Sequence, residues 1–132
     1  MTNEELIKKA AAVVKPKKTE NGLWADVGCA LISENGKTYT GVCAASGSNT
    51  FCAERNTIGS MITDGEYKIK KIVAVWKDKE GATFVIPPCG NCRQFMRETE
   101  ESNLEAEVVL DKEKSVKLKE LLPYYDWWQK QE

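Results

Sequence analysis

Two short cysteine motifs constrain this fold more than any other feature: Cys52-Ala53-Glu54 and, well downstream, Pro88-Cys89-Gly90-Asn91-Cys92. The spacing of Cys89 and Cys92 puts both sulfurs on one face of a helix's first turn, within reach of one metal ion. Ala53, Ile58, Met61 and Ile62 recur at helical spacing up to Asp64-Gly65, so a helix also begins near Cys52. Helix N-termini expose free N–H groups and a partial positive charge, which favour thiolates. The fold must therefore let two helix starts converge if these sulfurs are to share one ion.

The chain has no histidine. That removes Ser-His-Asp triads, Cys-His dyads and imidazole acid–base chemistry, and leaves metal and proton chemistry to Cys, Asp, Glu, Lys or Tyr. A catalytic zinc typically takes three protein ligands and keeps its fourth position for water. Cys52, Cys89 and Cys92 supply such a set. Glu54 is placed to touch the metal-bound water without binding the metal; coordination brings that water's pKa toward neutrality, and Glu54 takes its proton and later returns it. Three thiolates exceed the charge of Zn2+, so Arg55 and Arg93, each directly following a motif residue, are candidates to hydrogen-bond ligand sulfur and offset the excess. Two other readings stay open here: a redox Cys-x-x-Cys pair, and a structural zinc closed by Cys43 or Cys29 as a fourth ligand. Cys29, inside the apolar run Val27 to Leu31, reads first as a small core residue.

At 132 residues the chain is about one domain long. Its 19 basic and 20 acidic side chains leave a net charge of −1, so no basic field gathers a phosphate backbone and no extended nucleic-acid partner is expected. Met1 to Pro16 mixes charges with small apolar residues and reads as neither a signal peptide nor a membrane span. The expected compartment is the cytoplasm, where thiols stay reduced, so the five cysteines call for a role other than disulfides.

Thr2 followed by Glu5 and a helical apolar pattern predicts a capping box and a first helix that stops before Pro16. Trp24–Ser33 and Lys37–Ala45 read as strands joined at Asn35-Gly36, a type I′ hairpin signal. Lys71–Trp76, Ala82–Ile86 and Glu105–Leu110 are further strands, and Leu118–Leu122 is a short helix or turn. This order predicts an α/β fold: a three-layer sandwich with a mixed five-stranded sheet flanked by helices, one domain over residues 1–132.

At the cysteine motifs the sequence resembles the cytidine deaminase family, whose signature is Cys/His-Ala-Glu followed by Pro-Cys-x-x-Cys. The likeness extends to Val27-Gly28-Cys29-Ala30-Leu31, to Cys89 through Gln94, and to Glu120-Leu121-Leu122-Pro123, and so covers residues 24–128 behind an N-terminal helix within 1–15. It implies zinc-dependent hydrolytic deamination of a cytosine-type ring in a small nucleoside or nucleobase, with Glu54 shuttling protons and backbone groups at Ala53 and Cys89 orienting the base. It also implies a homotetramer whose active sites borrow residues from neighbours. The family's Asn-x-Glu pair, which grips ribose hydroxyls, falls here on Cys43 and Ala45, neither of which replaces an amide or a carboxylate. Ser46, Ser48 and Asn49, in the loop before Cys52, are candidates to take over those contacts. The Leu-Leu-Pro tail followed by aromatics resembles blasticidin-S deaminases, which makes Trp127 and Trp128 candidates to stack on a base. A modified cytosine nucleoside is the alternative substrate; a non-catalytic structural-zinc or nucleoside-binding protein is the alternative of another class.

Overall fold

A computed structural model describes the whole chain, Met1–Glu132. Helix α1 (Asn3–Ala12) opens as expected: Thr2 Oγ1 accepts the Glu5 N–H at 3.1 Å, and the Thr2 N–H donates to Glu5 Oε2 at 3.0 Å. Leu6, Ile7 and Ala10 form its buried stripe. The remaining elements are β1 (Lys17–Thr19), β2 (Gly22–Ser33), β3 (Thr38–Ser46), β4 (Asn49–Phe51), α2 (Ala53–Thr63), β5 (Ile69–Lys77), β6 (Thr83–Ile86), α3 (Gly90–Thr99), β7 (Glu107–Val109) and β8 (Ser115–Lys117), with 3-10 turns at Glu101–Glu105 and Leu118–Leu121.

The strands form one mixed sheet in the order β4-β3-β2-β5-β7-β8, with β1 on β2 and β6 on β5. The β5–β7 pairing is parallel; the others are antiparallel. The sheet has eight strands rather than the expected five. β2, β3, β5, β6 and β7 are the predicted ones. β1, β4 and β8 are three residues each, too short for alternation to show, and pairing with a longer neighbour makes them strands.

The β2–β3 hairpin also departs from expectation. The Gly36 N–H bonds to the Ser33 carbonyl at 2.9 Å, and the Ser33 N–H bonds to the Lys37 carbonyl at 2.8 Å. Gly36 has φ +86° while Asn35 stays at negative φ, whereas a type I′ turn needs both positive. The loop is thus the three-residue form, Glu34-Asn35-Gly36, with glycine in the left-handed position.

Alternation in the central strands sorts the core into two layers. Cys29, Leu31 and Ile72 face Ile58 and Met61 of α2 and Met96 of α3, while Ala30, Val73 and Val75 face Leu6 and Ala10 of α1. The result is the expected three-layer sandwich. Two glycines let the helices sit down on it. A Cβ at Gly28 would collide with the Ala10 carbonyl, and one at Gly41 would come to 2.7 Å from Thr57 Oγ1 and 2.9 Å from the Thr57 nitrogen. Gly41 therefore fixes how closely α2 approaches β3, and Asn56 Nδ2 adds a bond to the Val42 carbonyl at 3.1 Å. At the far end of α2, Tyr39 Oη bonds Asp64 at 2.6 Å and Glu66 at 2.7 Å.

Asn103 is a polar residue the sequence reading passed over. It is 1% exposed, accepts the Ile69 N–H at 2.8 Å, and donates to the carbonyls of Tyr67 at 2.9 Å and Met96 at 3.0 Å. One side chain thereby joins the start of β5 to α3. Asn103→Leu orphans these backbone partners, and at about 1–3 kcal/mol for each buried unmade bond it should cost roughly 3 kcal/mol or more. Urea unfolding checks this, and a loss under 1 kcal/mol would assign Asn103 no such role. No helix is long and apolar enough to cross a membrane.

Candidate active site

Both motif segments arrive at helix starts, as their spacing requires. Cys52 is the N-cap of α2 and Cys89 the N-cap of α3, each with extended backbone and neither using its sulfur to cap the helix. The sulfurs of Cys52 and Cys89 lie 3.6 Å apart, and with Cys92 all three are within 4.8 Å of one another. Zn–S bonds of about 2.3 Å in a tetrahedral site set sulfurs about 3.8 Å apart, so the trio fits this ion. All five cysteines are free thiols.

No fourth ligand closes the group. Cys43 donates its thiol to Asp26 Oδ1 at 2.9 Å, and Cys29 is fully buried in the core cluster. The structural-zinc reading with either as fourth ligand thus loses its ligand, and the trio is the open kind of site. Glu54 sits beside it at 5% exposure, and no hydrogen bond from another side chain holds its carboxylate.

Electrostatics follow from this crowding. Burial raises the Glu54 carboxyl above its ordinary value, opposed only by its own backbone N–H. Burial, then the Glu54 charge and the neighbouring sulfurs, push Cys92 up. Burial also raises Cys52, with Cys89 and Glu54 adding and a bond from Cys92 opposing. At Cys89 burial works against ionisation, but the N–H of Cys92, the thiols of Cys52 and Cys92 and the N–H of Asn91 outweigh it, and the thiol titrates low. Gathering three thiolates here costs Coulomb energy that a divalent cation removes.

The two arginines are placed differently from expectation. Arg93 donates Nε to the Pro88 carbonyl at 2.8 Å and Nη1 to the Leu121 carbonyl at 3.3 Å, while the Arg55 guanidinium lies 5.1 Å from the centroid of the Phe95 ring. Neither hydrogen-bonds a cysteine sulfur in the single chain. The carbonyls flanking Cys89 and the C-terminal turn outcompete sulfur for Arg93, which braces the loop carrying Cys89.

A cleft of about 270 Å3 opens at the metal site and is lined by Cys52, Ala53, Glu54 and Cys89, together with Cys43 and Ala45 of β3. The sequence-derived candidates on β3 and α2 are thus brought together. Val27, Ala44, Thr50, Phe51, Ile86 and Pro87 complete the wall and were missed, though Phe51 directly precedes Cys52 and Pro87 follows β6 just before the second motif. Val27 arrives through a bulge between Trp24 and Gly28, where Ala25 takes φ +61° and the β2–β3 register shifts. Ser46 and Asn49 bond to each other in the β3–β4 turn and, with Ser48, lie outside the cleft lining. Trp127 and Trp128 also lie outside it, 63% and 88% exposed on the C-terminal tail.

An open three-thiolate site fit for zinc, with a buried carboxylate beside it that no other side chain bonds, at two helix N-termini of an α/β sandwich, defines the class of zinc-dependent hydrolytic enzymes. The model of the cytidine and deoxycytidylate deaminase zinc-binding region matches residues 1–107, and the chain belongs to this family. It is 35% identical over 97 residues to a cytidine deaminase of Mycoplasma genitalium, covering 72% of this chain and 71% of that protein. The crystal structure of cytidine deaminase from Burkholderia pseudomallei superposes with a TM-score of 0.73 at 30% identity, covering 93% of this chain and 98% of that one. That from Mycobacterium leprae gives 0.73 at 26% identity, covering 93% and 99%. The chain is a zinc-dependent deaminase of this fold.

Proposed function

We propose that this protein hydrolyses the exocyclic amino group of a cytosine ring, with Cys52, Cys89 and Cys92 holding zinc and Glu54 moving the protons. The observation that carries this reading is the position of Glu54, 5% exposed beside three converging sulfurs, with no other side chain bonded to its carboxylate. Zinc held there supplies, from water, a nucleophile active at neutral pH. The balance is simple: water's oxygen ends on the ring carbon, the carbon–nitrogen bond breaks, and uracil-type product and ammonia leave.

Glu54 accepts a proton from the water, delivers it to the ring nitrogen, and passes the next to the departing amine. Burial, by raising its pKa, suits it to hold a proton part of the time. Ala53 is the first residue of α2 and lines the cleft, so its N–H, which has no intrahelical partner, is the donor assigned to the ring carbonyl. Cys89 brings the backbone of the α3 start against the same space.

A homotetramer is the proposed assembly. The exposed indoles of Trp127 and Trp128 suit packing on, or stacking into the site of, a neighbouring copy. Five free thiols suit a reducing cytoplasm.

The test is ammonia release by zinc-loaded protein from cytosine, cytidine, deoxycytidine and blasticidin S. Turnover of any one supports the reading. Protein that carries one zinc per chain and deaminates none would be a binding or structural protein.

A further inference from the structure

Helix α3, which carries Cys89 and Cys92, also grips the C-terminal segment at two points. Arg93 and Arg97 lie one turn apart on α3 and reach Leu121 and Tyr125, one residue for each arginine. Arg93 bonds the Leu121 carbonyl, and the Arg97 guanidinium lies over the Tyr125 ring, 4.8 Å from its centroid. Glu101 closes the second grip. Tyr125 Oη donates to Glu101 Oε1 at 3.3 Å, and Glu101 Oε2 lies 3.2 Å from Arg97 Nε. That nitrogen is buried and lacks the alignment of a hydrogen bond, so charge attraction carries the contact. Tyr125 is half-buried as a result, while Tyr124, Trp127 and Trp128 around it are exposed.

The clasp fixes a shape as well as a position. Tyr124 takes φ +59°, a left-handed backbone that a bulky residue adopts only where its surroundings impose it. The Trp127 N–H bonds the Tyr124 carbonyl at 3.2 Å, and the two rings meet edge to face at 5.5 Å. Tyr125 lies inside this turn and ties it to α3. The core does not use the arrangement, since the three flanking rings bury little surface within their own chain. A loose arm would lose conformational entropy each time it docked, and holding it in one shape beforehand removes that cost. We propose that Tyr125, clasped by Arg97 and Glu101, is a positioning residue that presents Tyr124, Trp127 and Trp128 to a second copy of the chain, whose active site the arm completes. The inference rests on the deaminase reading and the shared assembly above, and adds the residue that aims the arm.

The experiment uses the zinc-loaded full chain and whichever of cytosine, cytidine, deoxycytidine and blasticidin S the wild type turns over fastest. Tyr125→Ala should raise KM about fivefold or more and leave kcat within about twofold, the size expected when a few side chains must be ordered on docking. Zinc content and melting temperature should not move, and chymotrypsin should cut the variant's tail while sparing that of the wild type. Arg97→Met should reproduce the effect. Tyr125→Phe keeps the ring over Arg97 and should hold KM within about twofold of wild type. An unchanged KM in Tyr125→Ala, or a tail that still resists chymotrypsin, overturns the inference and leaves the deaminase reading intact. A wild type that is active but monomeric by light scattering defeats the shared assembly, and one inactive on all four compounds defeats the deaminase reading; either takes the inference with it.

Discussion

Glu54→Gln is expected to keep its zinc and lose ammonia release by about a hundred- to ten-thousand-fold, the range a positioned acid–base group supplies. The amide matches the carboxylate in shape, so the buried pocket at the start of α2 stays filled and the three sulfurs stay in place. What disappears is the capacity to take and return a proton. Each tenfold loss is about 1.36 kcal/mol of barrier, so even a hundredfold fall is about 2.7 kcal/mol. Zinc content by atomic emission and turnover by ammonia release, read on one sample, separate the roles. Near-normal turnover with full zinc would move proton transfer to another group.

Cys92→Ala should have the largest effect on the molecule as a whole. Cys92 is fully buried on the inner face of α3, so its loss removes a ligand and leaves a small void. Zinc content should fall from about one per chain to nearly none, and turnover with it. An ion present at a thousand times its Kd contributes about 4 kcal/mol to the folded state. Adding the void, the melting temperature should drop by roughly 10–20 °C relative to zinc-loaded wild type. Chelator-treated wild type provides the reference, because its drop contains the metal term without the void. Retention of full zinc by the variant would mean that the ligand set differs, with Cys43, which lines the same cleft, the next thiol to examine.

The metal trio was legible in the sequence because its geometry is local. The spacing of Cys89 and Cys92 places both within one helical turn, and the helical pattern after Ala53 puts Cys52 at a helix start. Convergence of the two helices is what the tertiary structure adds, through Gly41 letting α2 settle on β3 and β6 delivering Pro88 beside it. The arginines show the opposite case. Adjacency in sequence to a ligand pointed Arg55 and Arg93 toward sulfur, but a long side chain goes where packing and carbonyls direct it, and these went to Phe95, Pro88 and Leu121. Asn103 escaped notice because its three partners lie on separate segments, which no periodicity reveals.

By itself the sequence marked Cys52, Cys89 and Cys92 as candidate ligands, Glu54 as the candidate acid–base residue, and the order of the main elements, since these follow from residue chemistry and from repeats within a turn or a strand. It also marked Cys43 and Ala45 as unusual. Only the tertiary structure decided that Cys43 spends its thiol on Asp26 instead of on a metal, that Val27, Phe51, Ile86 and Pro87 close an apolar cleft around the site, and that Trp127 and Trp128 stand away from it within one chain. The physical reason is one of range. A helical turn or an alternating strand is fixed by neighbours in sequence, but a cleft wall is assembled from strands and loops whose meeting depends on the whole sheet.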